Sequence, residues 1–502
     1  MTGRSVLYLV SAAVAATALL PVAVLVQLGI GAELALDARS LEVLLNTVLL
    51  TVLTVAGAIA LGVPLAFATA CSDLPLRRFW VGALAAPLAI PSYIGAFAWF
   101  AAVGPGGEIE RLTGLRTPRV QGLAGATLVM TLYTFPFVLI TTRAALVSLD
   151  TNVVDVARTL GLSLRGALLR VVLPRARTGI AAGALLVALY TLSDFGTPAI
   201  MRFDTFTRII YVEYNAFGLD RAALLSLQLL VLVFVVLALE ARVRSPRERP
   251  GRALTLRLGR RQKALTLGVA GAVVLATLVL PVAVFGLWLV RDGIIGFDWR
   301  YVLNSAYPSL LAALAAVLVA LPVAYAARSG RLGRLLERIG YIGFGIPGIV
   351  MGTALVYVGL RLEPLYQTLA LLVIAYVLLF LPLAVGSTRA SVERMEGDLV
   401  GAARSLGASP LEAFSRVSLP LVRPGLVAGA ALVFLEAMRE LPATLLLRPN
   451  DFETLASYLW LVYEAGQFGR AAVPGLLLML VSGAAVVIML SAEARGSAQA
   501  VT

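Results

Sequence analysis

The stretch Asp155-Val156-Ala157-Arg158-Thr159-Leu160-Gly161, running on to Leu173-Pro174, decides the fold because the chain carries it twice. The second copy is Gly401-Ala402-Ala403-Arg404-Ser405-Leu406-Gly407, running on to Leu419-Pro420. In both copies the proline lies 13 positions after the glycine, and the copies are 246 residues apart (407 − 161; 420 − 174). Each copy sits in a polar segment between apolar runs. Its composition predicts two short helices joined at the glycine, which tolerates a positive φ. Asp150 or Asn152 is placed to cap the first helix. Val156, Ala157 and Leu160 give that helix an apolar side, and small residues let a partner surface approach. The second helix is expected over 164–172, with Pro174 as its stop. Asp398, Gly407 and Pro420 repeat the plan. A duplicated knob of fixed spacing implies a docking surface for a partner.

Working outward, the flanks are those of a membrane protein. Of 502 residues, 60% are hydrophobic and 14% charged, against about 45–50% and about 25% in soluble domains. The mean hydropathy is +0.92. Apolar runs long enough to cross a bilayer core are expected near 6–30, 42–70, 79–103, 122–142, 178–200, 222–241, 265–290, 303–328, 338–361, 366–388, 424–440 and 471–492. The first is too long for a signal-peptide core and reads as a retained span. The fold class is therefore all-α: about twelve transmembrane helices in two six-helix repeats.

The net charge of +13 is unevenly spread. Residues 242–264 hold eight arginines and Lys263 against Glu248 alone. Cationic loops stay in the cytoplasm, so the charge calls for no nucleic-acid partner. Placing 242–264 inside puts both repeated loops and both termini inside. The chain then divides into a first module, 1–241, a basic cytoplasmic linker, 242–264, and a second module, 265–502. Six spans on each side give the halves the same orientation, a parallel repeat. Asn46 and Pro64 pair with Asn304 and Pro322 at an offset of 258. Ile90-Pro91 pairs with Ile346-Pro347 at 256, and Asp194 with Glu440 at 246. The offset shrinks between the last two pairs, which places an insertion in the first half at 104–121, in an outside loop.

The spacing of the repeated loops, about 150–175 and 396–421, resembles the coupling-loop signature of ATP-binding-cassette importer permeases: Glu-Ala-Ala, three residues, Gly, nine residues, then Ile-x-Leu-Pro. The matching positions are Asp155, Val156, Ala157, Gly161, Val171, Leu173 and Pro174, and then Gly401, Ala402, Ala403, Gly407, Val417, Leu419 and Pro420. The acidic first position is kept as Asp155 and lost at Gly401, and valine replaces isoleucine in both copies. The resemblance implies the type I importer fold. It also implies a dimer of separate ATPase subunits gripping the two loops, and an extracytoplasmic binding protein that delivers cargo. Its location would be a bacterial inner membrane. The stretch from Glu440 to Pro449, and its counterpart from Ser193 to Pro198, resemble ferric-iron permeases of this family. Thiamine, polyamine and oxyanion importers are the alternatives within the family. An ion-coupled secondary transporter, which can also have twelve spans in two parallel halves, is the alternative outside it.

The sequence adds an independent check on the motor. A P-loop requires Gly-Lys-Ser/Thr, and the only lysine is Lys263, in Arg-Arg-Gln-Lys-Ala-Leu. The chain is thus expected to carry no cofactor, with ATP and Mg used by the partner. The absence of histidine excludes His-ligated metal and His-based catalysis, and the single Cys71 excludes an intrachain disulfide. No catalytic chemistry is expected, only transport. Ionisable residues inside spans are functional candidates by default. Asp194, Glu436, Arg439 and Glu440 at the outer ends of the fifth and eleventh spans are expected either to line an outer gate or guide a cation, or, for Glu436 and Arg439, to form an i,i+3 ion pair.

Overall fold

The computed structural model describes residues 3–31, 37–104, 106–147, 152–243, 256–394 and 397–484. These residues are helical throughout, apart from turns and one isolated bridge between Ser72 and Leu256. Nine described helices are long and apolar enough to cross a bilayer: Ser5–Gly29, Ala38–Cys71, Gly122–Val147, Leu168–Ser193, Leu219–Glu240, Arg260–Asp292, Arg300–Arg328, Leu369–Arg394 and Pro410–Met438. A tenth is a pair, Arg77–Ala89 and Ser92–Thr113, bent by 93°. The shorter apolar helices Gly348–Arg361 and Phe468–Ala484 occupy the remaining two expected positions.

Proline position explains which spans break. A residue before proline is pushed out of the α region. Ile90 (ψ 121°) and Ile346 (ψ 121°) are both extended, and a new helix starts after Pro91 and after Pro347. Pro64 and Pro322 instead lie inside continuous helices, where neighbours in a membrane bundle can satisfy the freed carbonyls. Of the four repeated prolines, one pair breaks its spans and the other is absorbed.

The helices gather into two compact units. One comprises Met1–Ala35, Ile210–Leu227 and Gly296–Ala465; the other comprises Leu36–Ile209, Gln228–Ile295 and Gly466–Thr502. They interleave the sequence halves 1–241 and 265–502 rather than coinciding with them. In the first unit the N-terminal helix packs on Arg300–Arg328, Arg331–Gly340 and Gly348–Arg361, burying Ala15, Ala18 and Leu25. In the second, Leu280–Asp292 packs on Ser92–Val103. There Phe97, Phe285, Trp288 and Phe468 meet edge-on or stacked with centroids 5.4 to 6.3 Å apart. A helix that begins a module carries a stripe of small and apolar side chains, and nothing in its sequence specifies which bundle covers it.

Each unit contains an equivalent glycine-mediated helix contact. In one, Gly179 and Gly183 face the Gly122–Val147 helix, where a Cβ at Gly183 would lie 2.4 Å from Thr141 Oγ1. In the other, Gly425 and Gly429 face Leu369–Arg394, and a Cβ at Gly425 would lie 2.4 Å from Ser391 Oγ. Both pairs are small-x-x-x-small stripes that let backbones approach in lipid, and they stand at the same offset of 246 as the repeated loops.

Of the basic 242–264 segment, residues 244–255 lie outside the described residues, and a helix starts at Arg260. Gly259 precedes it as N-cap, with the Gln262 side chain accepting from the Gly259 N–H at 3.0 Å. The 104–121 insertion contains a short helix, Glu108–Thr113. Its buried Glu108 accepts from Trp288 Nε1 at 2.9 Å and from Arg291 at 3.0 Å.

Candidate functional site

In the first repeated loop a helix runs over Asn152–Thr159 and ends at Gly161, whose φ is +88°. The Leu162 N–H donates to the Ala157 carbonyl and the Gly161 N–H to that of Arg158, at 3.1 and 3.0 Å. That double closure is the Schellman arrangement. The second loop repeats it: helix Gly397–Ser405, Gly407 at φ +90°, Ala408 N–H to Ala403 and Gly407 N–H to Arg404, both at 3.1 Å. The two glycines are required because an L side chain at such a φ is strained, and a Cβ at either would meet open space. The described part of the first loop helix begins at Asn152, and Asp150 lies outside the described residues.

After each bend a serine restarts the helix. Ser163 Oγ accepts from Gly166 N–H at 3.1 Å, and Ser409 with Glu412 forms a reciprocal capping box. Here the expected stop at Pro174 and Pro420 is corrected. The chain passes through a π-turn, Leu168–Val172 in one loop and Phe414–Ser418 in the other, and continues directly into the spans at Leu173 and Leu419. Leu173 N–H donates to the Leu168 carbonyl and Leu419 N–H to that of Phe414. The wider π-turn displaces the carbonyl four residues back that a proline ring would strike, and proline has no N–H to place. A third Leu-Pro step, Leu280-Pro281, also follows a π-turn, Leu275–Val279. Each loop is therefore joined to its span by continuous helix.

The apolar side expected of the first loop helix divides in two. Val154 and Ala157 turn inward to Ala167, Val172 and Ala176, with Leu162 and Val171 beside them. Val156 (56% exposed) and Leu160 (79%) point outward, as does Leu406 (88%) at the position equivalent to Leu160. Asp155, Gly161, Ala402, Gly407 and Pro174 are exposed, while Ala403 and Leu173 are half-buried. Leu406, Gly407 and Ala403 line a shallow cleft with Glu412 and Arg416. In the first loop the inward residues join the knob to the core of its unit, and in both loops the leucine before the bend is exposed. Leu406 was legible in the second copy of the motif, but only the bend shows that its side chain stands clear of the protein.

The four acidic and basic candidates sit in structural pairs. Asp194 follows the Leu173–Ser193 helix; its Oδ2 accepts from Thr197 N–H at 3.0 Å and its Oδ1 from Ser92 Oγ at 2.6 Å. Glu440 Oε1 accepts from Ala443 N–H at 3.0 Å. Each acid thus accepts from the N–H three residues on, in the first turn of the short helix Gly196–Ile200 or Pro442–Leu447. The residue after each Ile-Pro completes the pairing. Ser92 supplies a hydroxyl to the shorter Asp194. Gly348, the position equivalent to Ser92, leaves room for the longer Glu440, whose Oε1 would lie 2.3 Å from a Cβ there. Glu436 and Arg439 form the i,i+3 ion pair, with Arg439 Nε 3.0 Å from Glu436 Oε2. The sequence reading missed Ser92 and Gly348, although they share the Ile-Pro offset of 256.

The family pattern described as "Binding-protein-dependent transport system inner membrane component" matches residues 58–245 and again 311–495, so each match takes in one of the repeated loops. The chain belongs to this family. Its relatives include the Fe(3+)-transport system permease protein FbpB 2 of Haemophilus influenzae, 32% identical over 476 residues and covering 91% of both chains. The ferric transport system permease protein FbpB of Actinobacillus pleuropneumoniae is 24% identical over 72% of this chain and 57% of its own length. A probable molybdenum ABC transporter permease of Haloferax volcanii is 32% identical over 41% of this chain and 77% of its own. The protein is accordingly a multi-pass, all-α membrane permease. Its relatives are transport permeases, which are not themselves enzymes.

Proposed function

We propose that this permease imports ferric iron, powered by a dimer of separate ATPase subunits and supplied by an extracytoplasmic binding protein. The reading of its class rests on one observation: two loops with the same Schellman bend, π-turn and outward leucine, each continuous with a span. The reading of its cargo rests on likeness to FbpB 2 over nine-tenths of both chains. The loops face the cytoplasm with both termini, as the basic 242–264 segment requires of a bacterial inner-membrane protein. The sequence modules 1–241 and 265–502 each contribute one loop. ATP and Mg bind the partner, and this chain holds no cofactor.

In this mechanism Leu160 and Leu406 enter a groove on each ATPase subunit, with Asp155, Val156 and Gly161, and Ala402, Ala403 and Gly407, forming the contact, while the buried Ala157 holds the first loop from behind. Closure of the ATPase dimer on ATP moves the loops. Because Leu173-Pro174 and Leu419-Pro420 carry each loop into its span without a break, that motion passes to the transmembrane helices. The chain breaks after Ile90 and Ile346 provide hinges. Asp194 in one unit, and Glu440 with the Glu436–Arg439 pair in the other, are the proposed residues of the substrate pathway or outer gate.

The test is uptake of radiolabelled ferric iron into proteoliposomes holding the permease, its ATPase and its binding protein. ATP-dependent uptake that Gly161→Glu with Gly407→Glu abolishes supports both parts of the reading. ATPase activity that responds to the binding protein without iron uptake keeps the class and discards the cargo. Uptake driven by an ion gradient with no ATPase bound overturns the class.

A further inference from the structure

The helices Phe206–Asn215 and Leu455–Glu464 end in equivalent turns. Tyr214-x-Ala216-Phe217, followed by Arg221-Ala222-Ala223, matches Tyr463-x-Ala465-Gly466, followed by Arg470-Ala471-Ala472, at an offset of 249 (463 − 214; 470 − 221). In both copies the residue after the first alanine is left-handed: Phe217 at φ 62° and Gly466 at φ 66°. The first turn is a Schellman closure, in which Gly218 N–H donates to the Glu213 carbonyl at 2.9 Å and Phe217 N–H to that of Tyr214 at 3.1 Å. Such a position calls for glycine, and the second repeat supplies it. The first repeat instead holds an L side chain in a conformation that strains it. The strain gains no packing, because Phe217 is 95% exposed, more than any other large apolar side chain among the described residues. An exposed apolar residue alone needs no explanation. One that also occupies a backbone state its twin reserves for glycine answers to something outside the chain.

Where the ring stands says what meets it. The helix Leu219–Glu240 begins two residues later and runs 22 residues, about 33 Å, to the basic 242–264 segment. With that segment in the cytoplasm, Phe217 lies at the outer face. At this end the helix is enclosed by protein: five consecutive residues, Ala222 to Ser226, are buried, none more than 9% exposed, and five residues cover every side of a helix. Strongly exposed apolar side chains, as a lipid-facing surface requires, begin at Val231 (61%). The solvent-exposed residues flanking the ring in sequence are polar or small, namely Asn215, Ala216, Asp220 and Arg221. Arg221 also braces the turn, with its Nε 3.4 Å from Glu213. A single aromatic ring within a polar rim, on a braced turn, is the anatomy of a protein–protein anchor. The protein that reaches this face is the extracytoplasmic binding protein.

We propose that Phe217 anchors the binding protein to the first repeat, its ring entering an apolar pocket on that protein. The proposal rests on the importer reading and adds an asymmetry to it. Gly466 leaves the equivalent turn of the second repeat without a ring, so the binding protein meets the two halves differently.

Phe217→Gly copies the second repeat's own turn, which makes it a test that spares the fold. In nanodiscs holding the permease and its ATPase, this variant is expected to keep the wild-type melting temperature or exceed it, and to keep the ATP turnover seen without binding protein. The concentration of binding protein that half-stimulates turnover should rise about tenfold or more. Phe217→Tyr, which keeps the ring, should stay close to wild type. Phe217→Cys gives a direct reading, because the one native thiol, Cys71, is buried. A membrane-impermeant maleimide should label this variant in nanodiscs, and excess binding protein should slow the labelling. An unchanged half-stimulating concentration in Phe217→Gly overturns the proposal. So does a lower melting temperature in that variant, which would show the ring packing on its own chain. Labelling of Phe217→Cys that proceeds in detergent but not in nanodiscs would assign the ring to lipid and overturn it as well. A wild type whose turnover ignores the binding protein would sink the importer reading and this proposal with it, whereas failure in the Phe217 variants alone sinks only this proposal.

Discussion

Replacing Gly161 and Gly407 with alanine isolates the bend from every other property of the loops. At φ +88° and +90° an L residue costs about 1–2 kcal/mol relative to glycine. No steric term adds to this, because a Cβ at either site has nothing within 4 Å. If the ATPase binds only the bent loop, each alanine lowers the population of the competent form by about 5- to 30-fold. The losses on two separate loops multiply. Gly401→Ala is the internal control. Gly401 also faces open space but lies inside the Gly397–Ser405 helix, where alanine is worth about 0.5–1 kcal/mol more than glycine. It should leave ATPase binding unchanged or slightly stronger. Asparagine at 161 and 407, which tolerates the left-handed region better than alanine, should recover part of the loss. The assay is the affinity of the isolated ATPase for the permease in nanodiscs, with hydrogen exchange of the Leu162 and Ala408 amides reporting the bend itself. Wild-type affinity in Gly161→Ala/Gly407→Ala, or equal damage from Gly401→Ala, would refute the claim that the bend sets the docking surface.

Leu160→Ser with Leu406→Ser should leave the melting temperature within the roughly ±0.5 kcal/mol expected of surface changes, since both side chains are exposed, yet weaken ATPase binding; a parallel fall in stability would place the leucines in the core instead. Gly348→Ser should destabilise the protein by about 1–3 kcal/mol through overpacking against Glu440, and Glu440→Asp should restore much of it by recreating the Ser92–Asp194 pairing. A double-mutant cycle by thermal unfolding reads the coupling, and additive losses would deny the pairing. The bond from Lys263, followed by that from the Leu258 N–H, holds the Asp73 carboxyl below its ordinary value of 3.8. A depressed folded-state pKa stabilises the folded form above the unfolded value and loses that contribution as pH falls. The strap at Leu256–Leu258, where the Leu256 N–H donates to the Cys71 carbonyl and the Leu258 N–H to Asp73, should therefore stay closed from neutral pH down to about pH 4 and loosen in more acidic solution, and Asp73→Asn should loosen it at neutral pH. Hydrogen exchange at the Leu258 amide checks both, and protection that Asp73→Asn leaves unchanged would count against the strap.

Much of the functional site was legible because repetition supplies its own comparison. The 13-residue Gly-to-Pro spacing, the Ile-Pro pair and the acids at 194 and 440 stand at consistent offsets, and each turned out to be a bend, a chain break or a helix cap. Errors arose where proline was read from local preference alone. Pro174 and Pro420 were expected to stop a helix, but a π-turn one residue upstream absorbs the ring, and hydrogen-bond register of that kind leaves no trace in composition. Ser92 and Gly348 escaped notice because a hydroxyl at one site and empty space at the other look unrelated until Asp194 and Glu440 are seen to fill the same position with side chains of different length.

The sequence alone determined that the chain is a helical membrane protein built twice over, and that each copy presents a loop of fixed spacing on its charged side. Hydropathy, charge bias and spacing are one-dimensional quantities, so they survive without coordinates. Only the tertiary structure decided which leucine faces outward, which helix covers which bundle and which residue completes each acid's cap. Those outcomes depend on the exact course of the backbone and on side chains far apart in the chain, such as Ser92 and Asp194, where the neighbour, rather than the residue's own chemistry, sets its role.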